Sequence, residues 1–307
     1  MAITNFIPEL WAAAVQEPFE KALVFGQPTI ANRKYEGEIR QKGDTVNITT
    51  ISAPTIRDYD KDEDITIEDV SDANIKLVID KGDYFAFRVN DVDKVQAAGD
   101  FQGSATRQAG YGLRDKVDQY IAGLFNVAAS TGGPHADNRL GNVSVINGTG
   151  TGKPGDGQTT AWNVLVQLQN RLNKKSVPTD GRYVVIDPDF LSALENDPRF
   201  TSVSDSGSSE TLRNGQVGRA AGFDVLLSNN THKASSRSLV VAGIPDALSF
   251  ANQLVEVEAL REQARFADLV RGLNIYGAKL TRPDGVATAN VEYVPGTGVD
   301  TVVTTTP

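Results

Sequence analysis

The apolar and polar positions of this chain change rhythm several times along its length. Over residues 1–35, Phe6, Ile7, Leu10, Trp11 and Val15 recur at spacings of three and four, which predicts one short amphipathic helix. Pro8 suits its first turn, where a missing N–H leaves nothing unpaired. Pro18 and the Gly26-Gln27-Pro28 stretch break any longer continuation. This stretch therefore reads as an arm rather than the start of a compact core. A short apolar helix followed by broken chain must bury its face somewhere, in its own domain or against a neighbouring subunit.

From residue 45 the period falls to two. Thr45-Val46-Asn47-Ile48-Thr49-Thr50-Ile51, Ile75-Lys76-Leu77-Val78-Ile79 and Tyr84-Phe85-Ala86-Phe87-Arg88-Val89 read as strands. Between them lie the acidic run Arg57-Asp58-Tyr59-Asp60-Lys61-Asp62-Glu63-Asp64 and Ile65-Thr66-Ile67. The whole predicts a long hairpin whose distal part has too few apolar residues for a core of its own. An isolated two-stranded ribbon is marginal in water, so something else must hold it.

A helical period then takes over across residues 91–127, with Val92, Val95, Ala98, Phe101, Ala105, Ala109, Leu113, Val117, Ile121 and Leu124 at steps of three or four. Unbroken, such a helix would be about 50 Å long at 1.5 Å per residue. Gly99, Gly103, Gly110 and Gly112 each weaken it by roughly 1 kcal/mol relative to Ala, which places a bend or interruption near 99–104. Residues 130–160 form a Gly-rich loop region with a short strand at Val143–Ile146. An α/β pattern follows: helix Ala161–Lys174, strand Arg182–Ile186, short helix Pro188–Leu194, and strands Gly222–Leu227 and Ser238–Ala242. Long extended segments close the chain at Leu254–Leu260, Phe266–Ala278 and Ala287–Tyr293, before a tail over 294–307.

Composition narrows the chemistry. With 307 residues, 40% of them hydrophobic and 22% charged, the chain is globular in type and long enough to bury roughly three quarters of its unfolded surface. The absence of cysteine removes thiolate catalysis, Cys-ligated zinc and iron–sulfur clusters, and fits a protein made in a reducing cytoplasm. A net charge of −9, with Lys and Arg scattered as pairs such as Arg33-Lys34 and Lys174-Lys175, argues against tight nucleic-acid binding. The opening residues lack a basic run and carry Glu9, Glu17 and Glu20, so they are not a secretion signal. No run of about 18 apolar residues occurs, and no membrane span is expected.

Four patterns carry possible chemistry. Gly150-Thr151-Gly152-Lys153-Pro154-Gly155 formally matches the G-x-G-x-x-G of a pyrophosphate-binding turn. Pro154 interrupts it and the next helix starts too late, so a flexible loop is the simpler reading. The same stretch fails as a Walker loop, with Asn147 at the first glycine position and Pro154 where a Ser or Thr belongs. His135 and His232, the two histidines, lie in loops without a metal-ligand spacing. Asp187-Pro188-Asp189 reads as a helix start, with Asp187 as cap and Pro188 at the first position, rather than a catalytic pair. The Asp58–Asp64 run lacks the central glycine and closing glutamate of an EF-hand.

The order of arm, long hairpin, long helix, α/β module and returning strands resembles the major capsid proteins of tailed bacteriophages. Local strings carry the same resemblance: Phe-Ile-Pro-Glu-Leu-Trp at Phe6–Trp11, Lys34–Val46, Ala-Gly-Phe-Asp-Val at Ala221–Val225, and Arg271–Leu280. They are similar to coat proteins of actinobacterial phages. The resemblance implies an α+β, Hong Kong 97-type fold. Its parts would be an N-terminal arm (1–35), an E-loop hairpin with the first P-domain strands (36–90), the spine helix (91–130), an A-domain (131–245), returning P-domain strands (246–293) and a C-terminal tail (294–307).

The family implies a coat protein that assembles with itself as hexamers and pentamers into the icosahedral head around packaged double-stranded DNA. The hairpin would lie over a neighbouring subunit and the arm beneath another. Phe6, Ile7, Leu10, Trp11, Tyr59, Ile65 and Ile67 are then the candidate inter-subunit contacts, buried only on assembly. No catalytic, cofactor-binding or metal-ligating residue is expected. Further expected partners are a separate scaffolding protein, because no fused scaffolding segment precedes the arm, together with a portal protein and a decoration protein on the Thr-rich tail. DNA would be weakly contacted cargo, since an acidic wall repels it. Lys61 lies in the hairpin, but no covalent cross-link is expected. The expected location is the virion, after assembly in the host bacterial cytoplasm. Two alternatives stand beside this reading: a soluble α/β nucleotide-binding enzyme using Gly150–Gly155, and an encapsulin-like shell protein, told apart by a role in binding cargo.

Overall fold

The computed structural model of the chain describes residues 23–34, 45–51, 55–56, 58, 61, 72–90, 101–128, 138–146, 157–197, 218–261 and 267–294. Its central element is an eight-stranded mixed sheet. The strands are β4 (Arg139–Ile146), β5 (Gln158–Thr159), β6 (Tyr183–Ile186), β7 (Arg219–Ala220), β8 (Phe223–Leu227), β9 (Lys233–Ala234), β10 (Arg237–Gly243) and β13 (Val286–Val294). They run in the order β5-β4-β13-β10-β6-β8-β7, with β9 beside β10.

Both faces of this sheet are covered, which is why β6 and β10 read as unbroken apolar runs rather than alternating ones. Val184, Ile186, Val240, Ala242, Ala287 and Val291 point into a core shared with two helices, α2 (Ala161–Lys174) and α3 (Pro188–Glu195). Their neighbours Tyr183, Val185, Leu239, Val241 and Val286 point into a second core on the opposite face. The period of two thus sorts each strand between two cores. Helix α2 starts where Thr160 accepts a hydrogen bond from the Asn163 N–H at 3.3 Å. It buries Ala161, Val164, Leu165, Leu168 and Leu172, and carries Arg171 and Lys174 in its last turn, where cations favour the helix dipole. Asp187 caps α3 and Pro188 occupies its first turn, as the sequence predicts.

The second core is roofed by α1 (Phe101–Ala128), the described part of the expected long helix. Its C-terminal half packs Val117, Ile121, Ala122 and Phe125 inward. Residues 91–100, with the expected start of the helix, lie outside the described residues, and over 101–104, within the stretch expected to be interrupted, the helix runs unbroken. The helix also runs along a three-stranded antiparallel sheet, β11 (Leu248–Arg261), β12 (Ala267–Leu280) and β3 (Lys81–Asn90), in the order β11-β12-β3. A separate two-stranded ladder, β1 (Thr45–Ile51) with β2 (Asp72–Val78), is the stem of the expected hairpin.

Three features depart from the sequence reading. Residues 23–34 are not a free arm: Val24, Phe25, Ile30 and Ala31 are buried in the second core. Broken chain there turns back on itself, with Ile30 and Ala31 N–H both bonded to the Gln27 carbonyl at 3.0 Å. Strand β11 begins at Leu248, earlier than the expected Leu254, because Phe250 and Ala251 find cores on opposite faces. The last strand, β13, pairs with β10 and β4 in the eight-stranded sheet, not with β11 and β12.

Candidate assembly surfaces

The hairpin stem is seated on one face of the three-stranded sheet. Val46 and Ile48 of β1, with Leu77 and the following Ile79, close over Ala251 and Ile275 to form a small core of their own. The seat depends on close backbone approach. A Cβ built on Gly277 would stand 2.4 Å from the Val78 carbonyl oxygen and 3.1 Å from the Ile79 Cα, so only glycine allows β2 to lie this close. Lys279 adds a hydrogen bond from its ammonium to the Lys76 carbonyl at 3.0 Å. Among the few described residues beyond the ladder, Ile56 is 96% exposed, and Asp58 and Lys61 are exposed too.

Among the described residues, the other half of the same sheet face is bare. Register places Leu273 opposite Tyr84, Arg271 opposite Ala86 and Glu258, and Leu269 opposite Arg88 and Leu260. These side chains share the face that carries Ile275, but among the described residues no hairpin strand covers them. Tyr84 is 77% exposed, Leu260 44% and Leu273 38%. Arg271 holds Glu258 through two hydrogen bonds at 2.6 and 2.9 Å. Together they border a groove of about 530 Å³ that also touches Phe85 and Gly272. Apolar and aromatic side chains around one ion pair have the make-up of an interface centre, where desolvated anchors carry binding and charge sets register.

The opposite face of the sheet packs on α1. Tyr120 and Tyr276 meet edge to face at 5.4 Å, and the Tyr276 hydroxyl donates to Asp83 at 2.7 Å. Burial, reinforced by that carboxylate, pushes the Tyr276 phenol up from its ordinary value. Beside it the N-terminal anchor, residues 23–34, adds a short parallel pairing to the β11 edge. Asn32 N–H donates to the Leu248 carbonyl at 2.8 Å, and Phe250 N–H to the Asn32 carbonyl at 3.0 Å. Arg33 lies over the Phe250 ring at 5.5 Å.

The patterns considered for chemistry fall differently. Gly150–Gly155 and His135 lie outside the described residues. His232 lies in the loop between β8 and β9, beside a polar cleft of about 450 Å³ lined by Gln119, Asn230 and Lys233. Asp187 is buried, and its carboxylate is committed to the Phe190 N–H and the Tyr293 hydroxyl. Burial and that carboxylate push the Tyr293 phenol up. No group of three or more metal-ligating side chains occurs among the described residues, and no helix among them is long and apolar enough to cross a membrane.

The seven contact candidates named from the sequence, Phe6, Ile7, Leu10, Trp11, Tyr59, Ile65 and Ile67, all lie outside the described residues. The bare sheet face was not anticipated. One signal for it stood in the sequence: Tyr84-Phe85-Ala86-Phe87 is apolar on both sides of a strand, which calls for a cover on each face.

Comparison with known proteins places the chain among shell proteins. Residues 75–289 match the family described as phage capsid protein. Among solved structures, that of Mycobacterium phage Che8 is 31% identical, with a TM-score of 0.71 over 94% of this chain and 98% of its own. The capsid of cyanophage P-SCSP1u is 16% identical, with a TM-score of 0.69 over 95% of this chain and 94% of that one. The mature capsid of bacteriophage PhiM1 is 13% identical, with a TM-score of 0.67 over 94% and 92%. The last two likenesses bear on fold alone. No curated protein sequence matches.

Proposed function

Because this chain belongs to the phage capsid protein family, we propose that it is the major coat subunit of a tailed phage, tiling as hexamers and pentamers into an icosahedral head. It is a structural protein of the virion shell with a Hong Kong 97-type fold, and it assembles with itself. The observation that carries the reading is the 31% identity to the Che8 phage protein along 94% of the chain. Neither the nucleotide-binding enzyme nor the encapsulin-like shell gains support from the described residues or the comparisons.

Within this reading, residues 1–35 act as the arm, with 23–34 as its buried root, 36–90 as the E-loop and first P-domain strands, 91–130 as the spine helix, 131–245 as the A-domain, 246–293 as returning strands, the last of which joins the eight-stranded sheet, and 294–307 as the tail. The bare half of the three-stranded sheet faces a neighbouring copy. Phe6, Ile7, Leu10, Trp11, Tyr59, Ile65 and Ile67 reach across to other subunits. Assembly takes place in the host cytoplasm with a separate scaffolding protein, a portal and a decoration protein, and the DNA inside is weakly held. What supports this part is the net charge of −9 and the seated stem from which the hairpin projects.

Negative-stain microscopy with light scattering tests the proposal. The purified full chain, alone and with a co-expressed scaffold, should give capsomers that close into shells. A discrete monomer or dimer under every condition would refute it.

A further inference from the structure

We propose that the outer edge of β3 takes the same strand of a second copy: two β3 strands pair antiparallel about a two-fold axis at Ala86, joining two three-stranded sheets into one. This rests on the coat-subunit reading and names what one of its contacts between copies is made of.

A sheet edge presents a row of backbone N–H and C=O groups ready to pair with another strand. The eight-stranded sheet blunts both of its ends with strands of two residues, β5 and β7. Strand β11 is clamped at its outer edge by Asn32. Among the described residues β3 has no such protection. It runs for ten residues without proline, pairs with β12 without a register shift, and has no strand on its other side. Its charges, Lys81, Asp83 and Arg88, flank the middle, and Asp83 is committed to the Tyr276 hydroxyl. The middle itself, Tyr84-Phe85-Ala86-Phe87, carries none.

That middle is aromatic on both faces. On one, Tyr84 is mostly exposed. On the other, Phe85 and Phe87 stack at 6.0 Å, both half-buried. A Cβ on Gly272 of β12 would stand 2.5 Å from the Phe85 ring, so glycine there lets the ring lie over the sheet. A partner docked on one face would leave the other wet. A strand added at the edge covers both, because its successive side chains alternate between the faces.

The chain assembles with itself, and β3 is complementary to its own copy. An axis normal to the sheet keeps each face on its own side, so even-numbered residues meet even and odd meet odd. Centred on Ala86, the pairing sets the smallest side chain of the middle against itself. Phe85 then meets the partner's Phe87, an aromatic pair made twice. Tyr84 meets the partner's Arg88, a cation beside an exposed ring. Centred on Phe85 instead, it would set the Asp83 carboxylate against the partner's Phe87; centred on Tyr84 or Phe87, the ladder shortens. Contacts of this isologous kind close on themselves, and the proposed shell offers two-fold positions between its capsomers.

Because the chain has no cysteine, one introduced thiol reports on one position. Full-length Ala86→Cys, assembled with scaffold and mildly oxidised, should run on a non-reducing gel mostly as a covalent dimer. Opposed residues of an antiparallel pair stand roughly 4.5–5.5 Å apart at Cα, within disulfide reach. Gly82→Cys should stay monomeric, since the pairing holds its two copies about 27 Å apart. Tyr84→Cys and Arg88→Cys should each stay monomeric alone and form a dimer when assembled together, which keeps the test open if Ala86→Cys fails to assemble. Shells in which none of these disulfides forms would overturn the pairing, as would a dimer through Gly82→Cys. So would wild-type shells whose Lys81–Asn90 peptide exchanges hydrogen as fast as in the unassembled chain. Light scattering on the same samples reports shell formation separately: covalent dimers without shells would sink the coat reading and leave the pairing standing.

Discussion

Gly277 offers the sharpest test of how the hairpin is held. In Gly277→Ala the new methyl group would sit 2.4 Å from the Val78 carbonyl oxygen, 3.0 Å from the Ile79 Cδ1 and 3.1 Å from the Ile79 Cα. Two of these obstacles are backbone and cannot rotate away. Restoring ordinary contact near 3.4 Å requires β2 to retreat by about 1 Å, which opens the small core of Val46, Ile48, Leu77, Ile79, Ala251 and Ile275 and stretches the Lys279 bond to Lys76. Overpacking of this kind costs about 1–3 kcal/mol. Because the stem is a satellite of the main cores, the cost falls on the stem before it reaches the whole subunit.

Hydrogen exchange of the unassembled chain measures it. Peptides covering Thr45–Ile51 and Asp72–Val78 should lose roughly 5- to 150-fold in protection, the equivalent of about 1–3 kcal/mol, while Tyr183–Ile186 keeps its own. Shells should form poorly or not at all, since the hairpin is proposed to reach a neighbour. Unchanged protection in both stem strands would show that the stem does not depend on this approach, and the seat as described would be wrong. A uniform loss across all strands would equally refute a stem that opens independently.

Substitutions at three further residues probe other parts of the molecule. Leu273→Asp, on the bare sheet face, should shift subunit stability by no more than about 1 kcal/mol yet abolish shell formation in light scattering, because assembly would bury an unpaired charge; intact shells would remove this face from the interface. Tyr293→Phe should cost about 1–3 kcal/mol in a denaturant titration by taking a donor from buried Asp187, and an unchanged midpoint would refute that role. The wild-type phenol is raised above its ordinary 10.0 when folded, so its contribution is intact below pH 10 and is lost as pH climbs toward the folded value; Tyr293→Phe should lack that alkaline loss. Arg182→Ala should cost roughly 2–4 kcal/mol in the same titration, because the buried guanidinium serves the Pro178 and Val177 carbonyls at 2.7 and 2.6 Å. Arg182→Lys should fail to restore it, since a single ammonium lacks the planar fork that meets both; full rescue would show that charge alone suffices.

What could be read from the sequence was what local rules decide. The bounds of α2 at Ala161 and Lys174 followed from an apolar stripe, and the start of α3 from Asp187-Pro188. Both are settled within a few residues of chain. Pairing at long range was not readable. Nothing near Val286–Val294 shows that it lies between β4 and β10 rather than beside β12. Gly277 looks like any glycine in a strand until β2 is laid across it. Asp118, three residues after Asp115 on a helix with exposed Arg114 and Lys116, looks like part of a solvated face. It is buried only because a turn from residues 23–34 folds over it, and no local pattern records that contact.

The two elements that leave the subunit share a foundation, and this constrains how a shell could respond to strain. The hairpin stem rests on β12 and β11 through Ile275, Gly277 and Ala251 on one face. The anchor grips the same strands from the edge, at Leu248 and Phe250, and from the opposite face through the core that holds Tyr276 and Ala278. Residues 248–251 of β11 pair with 277–280 of β12, and Tyr276 and Ile275 follow on the next two pairs, so the two roots stand on one run of six cross-strand pairs. A pull on either element is therefore delivered to a short stretch of sheet that also seats the other. The bare face begins at Leu273, two residues beyond Ile275 on the same strand and the same side. A neighbour docked there would press on strands already clamped from both faces. Rigid strands transmit such a load rather than absorb it, so Gly277→Ala at the stem and Leu273→Asp at the docking face should act on assembly non-additively in a double-mutant comparison. Strictly additive losses would mean that the two surfaces work independently.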